Sequence, residues 1–263
     1  MSRRVIFENG LPEEGFTAVK QVAGKEVALM FSGGVDSTFA ALRLSERFEK
    51  VSLLTYSNEY AHYHLKRARR RFYELRKIAG DKFSHEIISI KDIFDEVVLR
   101  ELDDDYKTYS SGFIWCMGCK IVMHARTIMY NLEKGISCSC DGASLATAEM
   151  VEQMPASLRE IKDFYAYNKI DYSLPVYNVP REEEIAELKK KGFFMGIRIL
   201  DRHLGIQPRC IPGEIYYLPY ILFKQPLRHA ETDVRAYIRA KREKLQPMID
   251  EISKKTKKGA GKQ

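Results

Sequence analysis

The chain has 263 residues, of which 45% are apolar and 30% charged, and it carries a net charge of +7. This composition excludes a disordered chain, and no apolar run nears the roughly 18 residues that a membrane-spanning helix needs. The opening MSRRVIFENGLPEEG has charges but no apolar h-region after them, so no signal peptide is expected and a cytoplasmic protein follows.

After an N-terminal segment of about 25 residues, EVALMF (26–31) predicts the first strand. It runs into SGGVDST (32–38), and a helix is expected from about Asp36 to Phe48. Two adjacent glycines let the backbone turn sharply and expose its N–H groups. Asp36, Ser37 and Thr38 suit the first turn of a helix, where free N–H groups gather. The combination describes a backbone pocket for an anion, most naturally a phosphate, although an ordinary strand–turn–helix connection would use the same residues. It is neither GxxxxGK[ST] nor GxGxxG, so the common kinase-like ATPases and dinucleotide enzymes are not favoured.

VSLLTY (51–56) is the second strand, followed by a long helix over about 62–79. That helix carries KRARRRFYELRK (66–77), read either as a solvated face or as an electrostatic footprint for nucleic acid. HEIISI (85–90) is the third strand, KDIFDEVVLREL the next helix, and a further helix is expected over about 118–133. ISCSCDG (136–142) predicts the fourth strand, LPVY (174–177) the fifth, and REEEIAELKKKG (181–192) a helix with glutamates first and lysines last. Strands alternating with helices imply an α/β fold: an open, mostly parallel five-stranded sheet with helices on both faces. Ligands of such sheets lie beyond the carboxyl ends of the strands. SGGVDST, the turn at Ser57 and Asp141–Gly142 all fall there.

Beyond Gly192 the pattern breaks into a Pro/Gly-punctuated segment and a final helix near 231–251, a small helical C-terminal extension. The expected division is a catalytic domain over 26–212, the extension over 213–252 and a disordered basic tail over 253–263. From Arg228 onward 11 Lys/Arg face 5 Asp/Glu, so most of the net charge sits at this end.

Five cysteines are present, and in a cytosolic chain disulfide staples are not expected. Cys138 and Cys140 alternate on a strand and so share a face, where they read as small core hydrophobes. Cys116 and Cys119, in WCMGCK, form a CxxC at a helix start, which points to a metal or redox site. Cys210, in QPRCIPGE, could complete a three-thiolate iron–sulfur site with that CxxC, or act alone as a nucleophile or persulfide carrier. A four-thiolate zinc site from Cys116, Cys119, Cys138 and Cys140 is the structural rival.

With SGGVDST present in full, the chain resembles the PP-loop ATP pyrophosphatase (adenine nucleotide α-hydrolase-like) family over about 26–212. CMGCK, DGASLATAEMVEQ (141–153) and LPVYNVPREEEIAELKKKG (174–192) are similar to the sulfur-transfer branch, which includes tRNA thiolation enzymes and the sulfur transferases of lactate racemase cofactor synthesis. The resemblance implies that Ser32, Gly33, Gly34, Val35, Asp36, Ser37 and Thr38 bind the phosphates of ATP, with Asp36 positioning Mg²⁺ and Ser57, Asp141 and Gly142 completing the nucleotide site. It implies a [4Fe–4S] cluster on Cys116, Cys119 and Cys210, with Cys210 also a candidate catalytic residue. The implied activity is adenylation of an acceptor oxygen and its replacement by sulfur, with a tRNA base as the favoured acceptor. No RNA-binding domain like that of the 4-thiouridine synthetases precedes the core, no rhodanese-like domain follows and flanking zinc-finger cysteines are absent. The acceptor, the sulfur donor and the oligomeric state therefore stay open. The rivals are a sulfur transferase acting on a small molecule or cofactor precursor, an amide- or nitrile-forming ligase of the same fold with structural zinc, and a non-catalytic RNA-binding module.

Overall fold

The computed structural model describes residues 25–60, 62–195, 208–223 and 229–260. All but the last residue of the expected N-terminal segment lies outside them. β1 (Glu26–Met30) and β2 (Lys50–Ser57) pair in parallel from Glu26↔Lys50 to Met30↔Leu54. β4 (Phe83–Ser89) continues the sheet beyond β2, while β5 (Cys138–Asp141) and β6 (Asp171–Ser173) continue it beyond β1. The order is β4–β2–β1–β5–β6, all parallel, so growth of the sheet reverses direction between β1 and β5. That reversal opens a crevice at the carboxyl ends of these two strands.

Alternate residues feed two cores. Val27, Leu29, Cys138 and Cys140 face α1 (Val35–Ser45), α2 (Lys66–Ala79) and α7 (Arg181–Lys190). Ala28, Met30, Leu54 and Tyr56 face α5 (Phe113–Lys134), α6 (Pro155–Tyr167) and α9 (Glu231–Ala260). Helices α3 (Lys91–Val97) and α4 (Leu102–Tyr109) link β4 to α5 on this second side. A separate two-stranded ladder, β3 (His62–Tyr63) with β7 (Arg209–Cys210), is antiparallel and leads into α8 (Ile211–Phe223).

The five-stranded parallel sheet is present, with changes at the edges. The fifth strand is Asp171–Ser173 rather than LPVY, because Pro175 has no N–H to give to a ladder and 174–177 closes a turn with the Tyr177 N–H on the Leu174 carbonyl. Residues 62–65, expected as helix, hold the β3 ladder and His64 at φ +60°, and α2 starts at Lys66. α5 starts at Phe113, so its Cys116 and Cys119 lie one turn apart on one face.

Helix α9 overturns the disordered tail over 253–260: it stays helical to Ala260. Val234, Ile238, Lys241, Leu245 and Ile249 recur at helical spacing and are all buried against the second core. Tyr237 adds a hydrogen bond from its Oη to the Ile114 carbonyl at 2.7 Å. The extension therefore packs on the second core, and the expected boundary at 212 falls in the first turn of α8. Among the described residues no helix is long and apolar enough to cross a membrane.

Part of the basic charge of α9 is paired with the protein's own carboxylates. Arg235, Arg239 and Arg242 converge on the buried Glu160 of α6, and the fully buried Lys241 ion-pairs with Glu101 and Asp105 at 2.7 Å each. Burial alone would raise the Glu160 carboxyl, but hydrogen bonds from Arg239 and Arg235 outweigh it and hold it below the ordinary glutamate value.

Candidate functional site

The turn after β1 is built around Gly33, whose φ of +74° would strain any side chain. The Gly34 N–H donates to Ser32 Oγ at 3.2 Å, and Ser37 Oγ lies 3.2 Å from the same oxygen. Gly34 is the N-cap of α1 and offers no side-chain acceptor, which leaves first-turn amides for an anion. From the next strand, Gly142 closes on this turn. A Cβ there would stand 2.7 Å from both the N and the Cα of Ser37, so only glycine lets the β5 loop approach the phosphate loop.

A cavity of about 380 Å³ opens at this crevice. Of the residues expected to bind nucleotide, Ser32, Asp36, Ser37, Asp141 and Gly142 line it. Others do not. Thr38 is fully buried and donates back to the Gly34 carbonyl at 2.6 Å, so its hydroxyl secures the turn rather than facing a ligand. Val35 packs in the first core, and Ser57 Oγ accepts the Glu59 N–H at 3.1 Å, away from the cavity. Gly33 and Gly34 contribute backbone alone.

Two cations that sequence reasoning did not assign line the same cavity. Lys120, the residue after the CxxC, donates to Asp141 Oδ2 at 2.5 Å. The fully buried His124, one turn on, has Nε2 at 3.7 Å from the same oxygen and accepts or donates through Nδ1 with Tyr165 at 3.1 Å. Burial, then the Lys120 charge, pushes His124 well below the ordinary histidine value, so it is neutral. Arg181, at the start of α7, ion-pairs with Asp36. Beneath it Glu184 is fully buried, and burial, then Asp36, pushes its carboxyl up to about 9.

The raised Glu184 carboxyl has a measurable consequence. The unfolded chain loses this proton near 4.5, whereas the folded protein keeps it to about 9, so unfolding releases a proton across that window and stability falls as pH rises through it. Glu184→Gln should flatten this fall and gain about 1–3 kcal/mol over wild type by pH 9. Urea midpoints of both proteins from pH 5 to 9 check it, and parallel curves would refute it.

The same cavity is also lined by His62, Arg209 and Cys210. The β3–β7 register sets His62 opposite Cys210. Cys119 Sγ lies 4.0 Å from His62 Nε2 and accepts from Asn58 Nδ2 at 3.6 Å. A Cβ built on Gly213 would touch both Cys210 Sγ (3.8 Å) and Cys116 Sγ (3.9 Å), so these sulfurs flank the first turn of α8. The three cysteines expected to act together are thus neighbours. Burial raises the thiols of Cys116 and Cys119 far above the ordinary value, and it raises Cys210 too, against the lowering effect of the Gly213 N–H. Without a cation they are protonated.

Cys138 and Cys140 belong to the opposite core, so the sheet separates them from Cys116 and Cys119 and the four-thiolate zinc site is excluded. Among the described residues no three His, Cys, Asp or Glu side chains stand where one metal ion could take them all. A cubane differs in that it binds each thiolate at its own iron and so needs them spread apart. The donor set fits such a cluster: three neighbouring sulfurs, with the buried Trp115 Nε1 beside Cys210.

The basic run on α2 divides. Lys66, Arg69, Arg70, Tyr73 and Lys77 border an exposed hollow. Arg71 turns inward instead: it is buried, ion-pairs with Glu74 at 2.5 Å and donates to the carbonyls of Phe194 (2.7 Å) and Gly33 (3.4 Å). It braces the phosphate loop.

No curated protein sequence matches the chain. Among solved structures, the chain is similar to one from Methanocaldococcus jannaschii described as a "predicted subunit of tRNA methyltransferase" (17% identity, 62% of this chain and 74% of that one, TM-score 0.38). It is also similar to the U34-tRNA thiolase NcsA from Methanococcus maripaludis with its [4Fe–4S] cluster (14% identity, 85% and 73%, TM-score 0.45). The family model described as the tRNA methyl transferase HUP domain matches residues 25–156, from the first strand through the phosphate loop, the CxxC and the β5 loop, and over this half of its length the chain belongs to that PP-loop family.

Proposed function

We propose that the protein is an ATP-dependent tRNA-modifying enzyme that adenylates an acceptor oxygen and replaces it with sulfur. The observation that carries this reading is a single cavity lined both by Ser32, Asp36 and Ser37 of the phosphate loop and by Cys210, which Cys116 flanks. First-turn amides and the hydroxyls of Ser32 and Ser37 hold phosphate oxygens, and Lys120 and Arg181 add positive charge. The acceptor oxygen attacks the α-phosphorus, the bond to pyrophosphate breaks, and AMP leaves when sulfur takes the place of the adenylated oxygen. A divalent cation at Asp36 would offset charge on the leaving pyrophosphate. A [4Fe–4S] cluster on Cys116, Cys119 and Cys210 would supply an iron open to a sulfur ligand. His62 and Asn58 border that place and keep it polar.

The test is anaerobic purification with iron and acid-labile sulfide analysis, followed by pyrophosphate release from ATP with and without bulk tRNA. Brown protein with tRNA-stimulated release is expected. Colourless protein that releases pyrophosphate would favour the ligase rival, and no release would overturn the adenylation.

The exposed α2 face is the proposed contact for the RNA backbone. Arg69→Ala/Arg70→Ala should weaken tRNA binding about 10-fold at low salt and lower the slope of log K against log salt by roughly 1–2. Filter binding across salt concentrations reads both, and an unchanged slope would move the RNA elsewhere.

A further inference from the structure

Three cations reach the cavity, and they are held differently. Lys120 is 17% exposed and fixed on Asp141, while Arg209 forks onto Glu214 through Nε and Nη2 at 2.5 and 2.6 Å. Arg181 is 39% exposed and, among the described residues, grips Asp36 through Nη1 alone. Its Nη1 also stands 3.9 Å from Glu184 Oε2, yet neither oxygen of that buried carboxyl has a hydrogen-bond partner.

Asp36 is the difficulty in an anion site. Its charge, in the first turn of α1, would repel a polyphosphate lying on the same amides. In the ligand-free protein the Arg181 guanidinium cancels that charge from inside the cavity. A guanidinium has five donors in a planar fork that suits phosphate oxygens as well as carboxylates.

We propose that Arg181 is a polyphosphate-binding residue that Asp36 holds in place until nucleotide arrives. The guanidinium then passes from Asp36 to β- and γ-phosphate oxygens, and Asp36 is freed for the divalent cation that accompanies them. The proposal rests on the ATP reading above. It makes Asp36 and Arg181 an exchange pair, in which each takes a new partner from the incoming metal–nucleotide complex.

Isothermal titration with magnesium–ATP, AMP, and ATP in EDTA tests it on the full chain. Arg181→Met should weaken magnesium–ATP by roughly 10- to 100-fold while AMP changes less than about 2-fold. In EDTA, Asp36→Asn should bind ATP about 3- to 10-fold tighter than wild type, because Arg181 no longer has a carboxylate to leave. Adding Arg181→Met to that variant should erase the gain. Should Arg181→Met not fold, Arg181→Lys, which keeps the charge without the fork, must show the same split between ATP and AMP. Wild-type protein that binds no ATP would overturn both this proposal and the ATP reading. Wild-type affinity in the Arg181 variants, or equal losses for ATP and AMP, would overturn the exchange alone.

Discussion

Cys210→Ala protein, reconstituted anaerobically with iron and sulfide, should retain less than about a tenth of the wild-type iron, and Cys116→Ala should match it. Cys116 and Cys119 are one turn apart on α5, and two thiolates from one helix face hold a cubane poorly. In the proposed cluster the third would come from β7, where Cys210 sits across from His62 and beside Gly213. The substitution leaves the core intact, because Cys210 is only partly buried at the cavity wall. Iron content and the visible charge-transfer absorption are the readouts. Full iron with adenylation but no sulfur transfer would make Cys210 a persulfide carrier instead. Full iron with full transfer would remove it from the chemistry.

Gly142→Ala should be as damaging at the turn after β1. The new methyl group would stand 2.7 Å from the backbone N and Cα of Ser37, and backbone cannot swing aside as a side-chain tip can. Either the β5 loop retreats or the first turn of α1 shifts, and both displace the amides that face the cavity. A displacement near 1 Å costs on the order of 100-fold in rate when geometry is what the site supplies. Pyrophosphate release should fall by about that factor, and the overpacking should cost about 1–3 kcal/mol of stability in urea. A Gly142→Ala protein with normal ATP affinity would mean that this loop plays no part in holding the nucleotide.

Much of this was legible before any coordinates, because it is local. SGGVDST carries its turn chemistry within seven residues, and the alternation of strands and helices that makes a parallel sheet is a pattern of near neighbours. The parts that were not legible are non-local or concern orientation. The pairing of His62 with Cys210 spans most of the chain and rests on a two-residue ladder with no pattern of its own. The interior bond of Arg71 was hidden in a run of basic residues. Its helical spacing from Ala68 and Leu75, both fully buried, was the available signal that it faces inward. Helix α6 follows a loop that resembles a nucleotide-binding segment, and its Pro155 marks a first helical turn.

The three arginines on Glu160 bear on how the C-terminal end can be dissected. Shortening the chain after Ile252 would spare Arg235, Arg239, Arg242 and the buried Ile249 and remove only outer turns of α9. Deleting the helix from Val234 would remove the buried Tyr237, Ile238, Leu245 and Ile249 and uncover the apolar face they cover, which unfolds the domain. Such a deletion would abolish RNA binding whether or not the helix ever touches RNA. Mapping the RNA contact therefore calls for charge reversals on the outer turns, such as Lys254→Glu or Lys257→Glu, in place of terminal deletions.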